Sequence, residues 1–258
     1  MKNFTSRLTI AIAAIGSLLV FSWPFLIEAG TSATTNINQA QLAQSVFIVL
    51  MPLLIVTVLV EFSSGKITAR QLAVLGVLTS LNAVIRLAGA GTSGIETAFF
   101  LIILGAYVFG AGFGFLLATG SILVSGLISG GVGPWLPFQM MAAGLVGIGA
   151  GLLPHPRQAW LQRAIIIVFA VPASFFYGAL MTMWNWPFLA GTGTNISYLA
   201  GGGLFENLRR FLNYELLTGG LVWDSGRAIT TVVLLMLTAP ALLTTLNRAA
   251  NRAGFESY

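Results

Sequence analysis

The stretch ARQLAVLGVLTSLNAVIRLA, residues 69–88, decides the fold. Its only charges, Arg70 and Arg86, stand near its two ends, and the residues between are mostly apolar or small. An α-helix rises about 1.5 Å per residue, so a run of this length covers the roughly 30 Å hydrocarbon core of a bilayer. Similar runs recur on both sides of it, at approximately Leu8–Ile27, Leu42–Phe62, Ile95–Phe109, Gly112–Leu127, Trp135–Leu153, Ala164–Trp184 and Ala228–Leu246. The reading is an all-α, polytopic membrane helix bundle. The runs at Ile95–Phe109 and Gly112–Leu127 are short and nearly loopless, and fit either two spans or one broken, glycine-rich hairpin.

Composition supports that reading. Apolar residues make up 57% of the 258 and charged residues 7%, against about a quarter charged in a soluble domain. Such a chain cannot wet its own surface, so lipid must be part of its solvent. Basic residues outnumber acidic ones 12 to 7, but they sit singly or in pairs at the ends of apolar runs. No basic patch interleaved with aromatics exists, which excludes nucleic acid as a partner. The absence of cysteine excludes disulfides and thiolate chemistry. The single histidine, His155, lies between prolines and reads as a solvated loop residue. The first run lacks a small-x-small cleavage site and is read as a retained span.

Basic residues also orient the chain. With the N-terminus inside, one side carries Lys2, Arg7, Lys66, Arg70, Arg157, Arg163, Arg248 and Arg252. The other carries Arg86, Arg209, Arg210 and Arg227 with Glu28, Glu96, Glu206, Glu215 and Asp224. Both termini are therefore expected in the cytoplasm of a bacterial cell, with the chain multi-pass in the plasma membrane. A long outer segment is expected at about 185–227. Within it, Phe205–Tyr214 alternates apolar and polar groups at helical spacing, as an amphipathic surface helix or lid does.

Candidate binding groups collect at the outer helix ends. Trp135 and Gln139 open one span, and Tyr177, Trp184, Asn185 and Trp186 close another; Phe211 and Tyr214 lie on the amphipathic stretch. An aromatic belt at the headgroups explains such residues as well as a pocket does. Asn82 and Arg86 share a helix face, and Glu96 follows across a loop of small residues. Arg86 and Glu96 form a structural salt bridge or contact a ligand; both readings stand. Ala69 with Ala73, and Gly76 with Ser80, repeat small side chains at four-residue spacing, which lets another helix approach closely. The glycines from Gly105 to Gly133 call for close helix contact or bending.

No phosphate-binding loop, nucleophile elbow, metal cluster or voltage-sensing arginine array is present. No catalytic residue, metal site or cofactor is expected, and the chain is read as a non-enzyme. A membrane enzyme would have to draw on Glu206, Glu215 and Asp224, and an assembly factor would bind no ligand.

Three strings carry a family resemblance: VFGAGFGF (108–115), GGVGPWLPFQM (130–140) and AGLVGIGAGLLP (143–154). They resemble the substrate-binding S-components of energy-coupling factor vitamin transporters. The resemblance implies a six-helix core at residues 67–258, preceded by two additional transmembrane helices at 1–66. It implies capture of a vitamin on the outer face, with a corrinoid such as cobalamin as first choice because the outer segment is long. It also implies docking, through Ala69, Ala73, Gly76 and Ser80, on a separate transmembrane scaffold (the T-component) driven by two ATPase subunits.

Overall fold

In a computed structural model of the chain, the described residues are 2–26, 68–89, 94–133, 135–189, 194–199, 202–255 and the single positions Val49, Leu53, Val56, Thr57 and Val60. The expected second span, Leu42–Phe62, lies largely outside them. The elements are α1 (Lys2–Phe21), α2 (Trp23–Leu26), α3 (Ala69–Gly89), α4 (Phe99–Phe109), α5 (Ala111–Ser129), α6 (Leu136–Gly151), α7 (Ala159–Leu189), α8 (Leu204–Leu217) and α9 (Gly220–Ala253). No strand occurs among the described residues. Among the described residues, four helices are long and apolar enough to cross a membrane, within α3, α5, α7 and α9; Leu8–Phe21, α4 and α6 are shorter apolar helices. Large apolar side chains stand out from the bundle, among them Val77, Val168 and Leu237. A surface of this kind suits lipid better than water.

Helix α4 is apolar all round and buried along its whole length, so it forms the centre of the core. Gly110, at φ +92°, ends α4 and begins α5. The run from 95 to 127 is therefore two helices broken at one residue, because only glycine takes that conformation without strain.

Against α4, helices α5 and α6 pack backbone to backbone. A Cβ on Gly114 would lie 2.6 Å from the Gly147 carbonyl oxygen, and side chains at Gly147 or Gly151 would strike the backbone of Gly114 or Ala111. The glycine-rich strings thus serve helix contact along α5–α6 and a break at Gly110.

The two ends of the bundle differ. At one end Gln71 Nε2 donates to the Gly254 carbonyl at 3.2 Å, and Phe255 packs on Phe109 and Phe113. His155 sits at this end half-buried, with Nε2 2.8 Å from the Tyr107 carbonyl oxygen and its ring stacked on Tyr107. It is a packed residue and not a solvated one.

The opposite end carries α8. There α1 and α2 meet the rest of the chain: Phe21 packs edge-on against Phe138, and Phe25 against Phe211.

Several helix ends differ from expectation, two of them around the expected outer segment. Helix α7 runs on past Trp184, and α9 begins at Gly220 and not near Ala228. The outer segment between them is correspondingly shorter than 185–227. The reason is electrostatic: Asp224 and Arg227 pair one turn apart inside α9, so charges that look like a loop are accommodated in a helix.

Gly147→Leu is expected to destabilise the bundle by about 1–3 kcal/mol or more, since the added side chain meets unyielding backbone. Thermal unfolding in detergent checks this; an unchanged midpoint would mean that α5 and α6 do not need backbone contact.

Candidate functional site

A cluster of charged and polar groups lies inside the α8 end of the bundle. Helix α3 supplies Asn82 and Arg86, one turn apart on its inner face. The connection to α4 supplies Glu96. Its position is fixed by Gly94, which at φ +74° lies against Gly226 and Trp223 of α9, and by the Thr97 hydroxyl, which donates to the Ile85 carbonyl. Arg86 Nε stands 3.5 Å from Glu96 Oε1, and Nη1 donates to Ser125 Oγ at 2.9 Å.

Facing this pair is a second one. Arg227 Nη1 donates to Asp224 Oδ1 and, at 3.1 Å, to the Ser174 carbonyl of α7. Its guanidinium sits 4.9 Å over the Tyr177 ring, a cation–π contact strengthened by burial. The Tyr177 hydroxyl lies within electrostatic reach of Glu96, Arg227, Arg86 and Asp224, so two ion pairs flank one phenol. A Cβ on Gly178 would overlap the Asp224 carboxylate. Glycine at that position makes room for the acid against the α7 backbone.

Helix α8 closes the cluster with Glu215, which is buried and within electrostatic reach of Asp224 and Arg227. Its outward face is apolar, with Phe205, Leu208, Leu212 and Leu216 exposed, while Asn207, Phe211 and Glu215 point inward. A helix that hides polar groups and shows apolar ones suits the membrane interface. Asn207 anchors it by accepting from the Leu199 N–H and donating to the Leu199 and Gly202 carbonyls. Arg210 donates to Glu206 and to the Thr194 carbonyl. Hydrogen bonds from Arg209 and Arg210 hold the Glu206 carboxyl below its usual range.

Several buried atoms in or beside this cluster have no hydrogen-bond partner among the described residues: both amide atoms of Asn82, Nε of Arg227 and Oγ1 of Thr231. More than nine in ten buried polar groups in folded proteins are paired. These atoms are exceptions to that rule among the described residues.

The structure thus brings Asn82, Arg86, Glu96 and Tyr177 together. Trp186 and Phe211 form a neighbouring nest: Trp186 is fully buried among Phe25, Tyr198 and Phe211, and its indole N–H donates to the Ile196 carbonyl at 2.7 Å. Phe211 and Glu215, one turn apart on α8, link nest and cluster. Trp184 stacks on Phe138 with ring centres 4.3 Å apart. Asn185 and Tyr214 are half-buried in the same region, and Gln139 is half-buried on α6. Trp135 stands apart, exposed and folded over Gly133.

Sequence reasoning left Ser125 and Arg227 out of the site, and it offered Asp224 and Glu215 only for an enzyme. The Asp-x-x-Arg spacing at 224–227, one helical turn, was the available signal. On α3 the residues Ala69, Ala73, Gly76 and Ser80 share an exposed face, and a Cβ on Gly76 would meet nothing within 4 Å among the described residues.

No protein-family model, curated protein or solved structure matches the chain.

Burial pushes the Glu215 carboxyl above the usual carboxylate range; Thr182 pulls it back, Asp224 adds to the rise and Arg227 opposes it. A carboxyl raised in this way favours folding at low pH, and that contribution is lost as pH climbs from about 4 through the folded value. Glu215→Gln, which mimics the protonated acid, is expected to raise the melting temperature at neutral pH and to flatten its pH dependence. A lower neutral-pH midpoint in the variant would show that the ionised carboxylate is the stabilising form.

Proposed function

We propose that this chain is the substrate-capturing membrane subunit of an importer of the energy-coupling factor type. On this reading it takes a vitamin at the α8 end and passes it on through a partner scaffold (a T-component) driven by two separate ATPase subunits. The observation that carries the proposal is the closed polar cluster under α8, with the Asn82 amide left without a hydrogen-bond partner among the described residues.

Burying two arginines and three carboxylates in an apolar bundle costs several kcal/mol per ion before pairing. Helix packing alone gives no return on leaving a buried amide unsatisfied as well. Binding does: ligand amides can both donate to and accept from the Asn82 amide and donate to the Glu215 carboxylate, in a dry, charged setting where each hydrogen bond counts for more. A corrinoid, rimmed with amides and carrying a phosphodiester, has this chemistry and remains the first candidate. The cluster is covered by α8 and the Trp186–Phe211 nest, so entry requires α8 to lift.

The α3 face supports the partner half of the reading. An exposed stripe of small residues at helical spacing lets a second membrane helix come close, and Gly76 has open space before it. Positive-inside bias puts the α8 end outside the cell and the Arg70, Arg248 and Arg252 end in the cytoplasm.

Two variants separate the two surfaces. Asn82→Ala removes no hydrogen bond among the described residues, so it should leave the melting temperature nearly unchanged. It should weaken vitamin binding, measured by calorimetry without nucleotide, by about tenfold, the value of one or two buried hydrogen bonds. Gly76→Leu should keep full binding yet abolish uptake in cells that hold the partner subunits. Failure of every vitamin in a panel that includes cobalamin to bind the purified chain would overturn the proposal. So would a Gly76→Leu variant that loses binding while uptake persists.

A further inference from the structure

At the end of the bundle away from α8, the first turn of α3 and the last turns of α9 enclose a groove of about 600 Å³. Arg70, Arg248 and Arg252 line it, over a floor that includes Ala73, Ala249 and Ala253. The geometry points to this groove as a binding site for the headgroup of an anionic phospholipid.

Three observations carry the inference. The first is charge. Arg248 and Arg252 stand one turn apart on α9, an arrangement that repels, and Arg70 adds a third like charge from α3. Among the described residues no carboxylate pairs with any of them. The described acids, Glu96, Glu206, Glu215 and Asp224, all belong to the opposite end. With no described carboxylate beside them, three guanidiniums lining one groove suit an anion that each can grip with two parallel N–H groups, which phosphate does.

The second is depth. Residues 227 and 248 are 21 apart on one helix, a rise of about 30 Å. That equals the hydrocarbon thickness. With Arg227 in the cluster under α8, Arg248 falls at the opposite interface, where lipid phosphates lie. The cytoplasmic leaflet is also the one rich in anionic lipid.

The third is the floor. Alanines let the glycerol backbone and upper acyl chains approach the helices closely, whereas a soluble anion would gain nothing from them. The helix ends themselves are neutral in sum, since the start of α3 attracts an anion and the end of α9 repels it. The Gln71–Gly254 hydrogen bond fixes their separation.

The test uses the full-length chain in detergent and native mass spectrometry, with phosphatidylglycerol and phosphatidylcholine of matched acyl chains. The wild type should retain phosphatidylglycerol about tenfold over phosphatidylcholine, and millimolar inorganic phosphate should not displace it. R248Q/R252Q should lose most of that preference, and the single variant Arg252→Gln should lose about fivefold if the double variant proves unstable. The charge-matched R157Q/R163Q, at arginines outside the groove, should keep it. An unchanged preference in R248Q/R252Q, or none in the wild type, overturns the inference and hands the groove to an acidic protein segment. Equal loss in R157Q/R163Q reduces it to bulk charge, and displacement by phosphate assigns it to a soluble anion; each rejects the lipid site.

Discussion

The structure depends on neutralising charge where there is no water to do it. In a chain with 7% charged residues, five of the charged side chains meet inside one end of the bundle. The Arg86–Glu96 pair joins α3 to the α3–α4 connection, and the Asp224–Arg227 pair lies within α9 and reaches the α7 backbone through Ser174. With Glu215 protonated the group is neutral; with it ionised, one negative charge is left over. The position of α8 and the charge state of the cluster are therefore tied through a single carboxyl.

Glycine makes this arrangement possible twice. On α5 and α6 it removes side chains so that backbones touch and α4 can be enclosed. At Gly178 and Gly94 it removes them so that Asp224 can rest on α7 and the α3–α4 connection can rest on α9. The first use sets the shape of the bundle and the second sets where the charges stand.

Helices long enough to cross a membrane were legible in the sequence because hydropathy is a one-dimensional property, and the run at 69–88 reads the same alone as in the bundle. The amphipathic helix α8 was legible from its period, and the Arg86–Glu96 contact from ten residues of separation across a stretch of small residues. Asp224 and Arg227 were not. A window that counts charge ends a helix where charges appear, and only tertiary pairing shows that α9 continues through them. Trp186, beside Asn185, reads in the sequence as either a headgroup-belt or a pocket residue. Its actual neighbours, Phe25 and Phe211, come from sequence-distant elements that no local pattern brings together.

The Phe25 contact reaches further than its size suggests. It places a ring from α2 beneath α8, so α8 is fastened by an edge-on aromatic latch that deleting α1 and α2 would unhook. Because the latch is apolar, releasing it exposes greasy surface and breaks no ion pair. The work of opening that end of the molecule should then follow temperature and the fluidity of the surrounding lipid far more than the salt content of the medium.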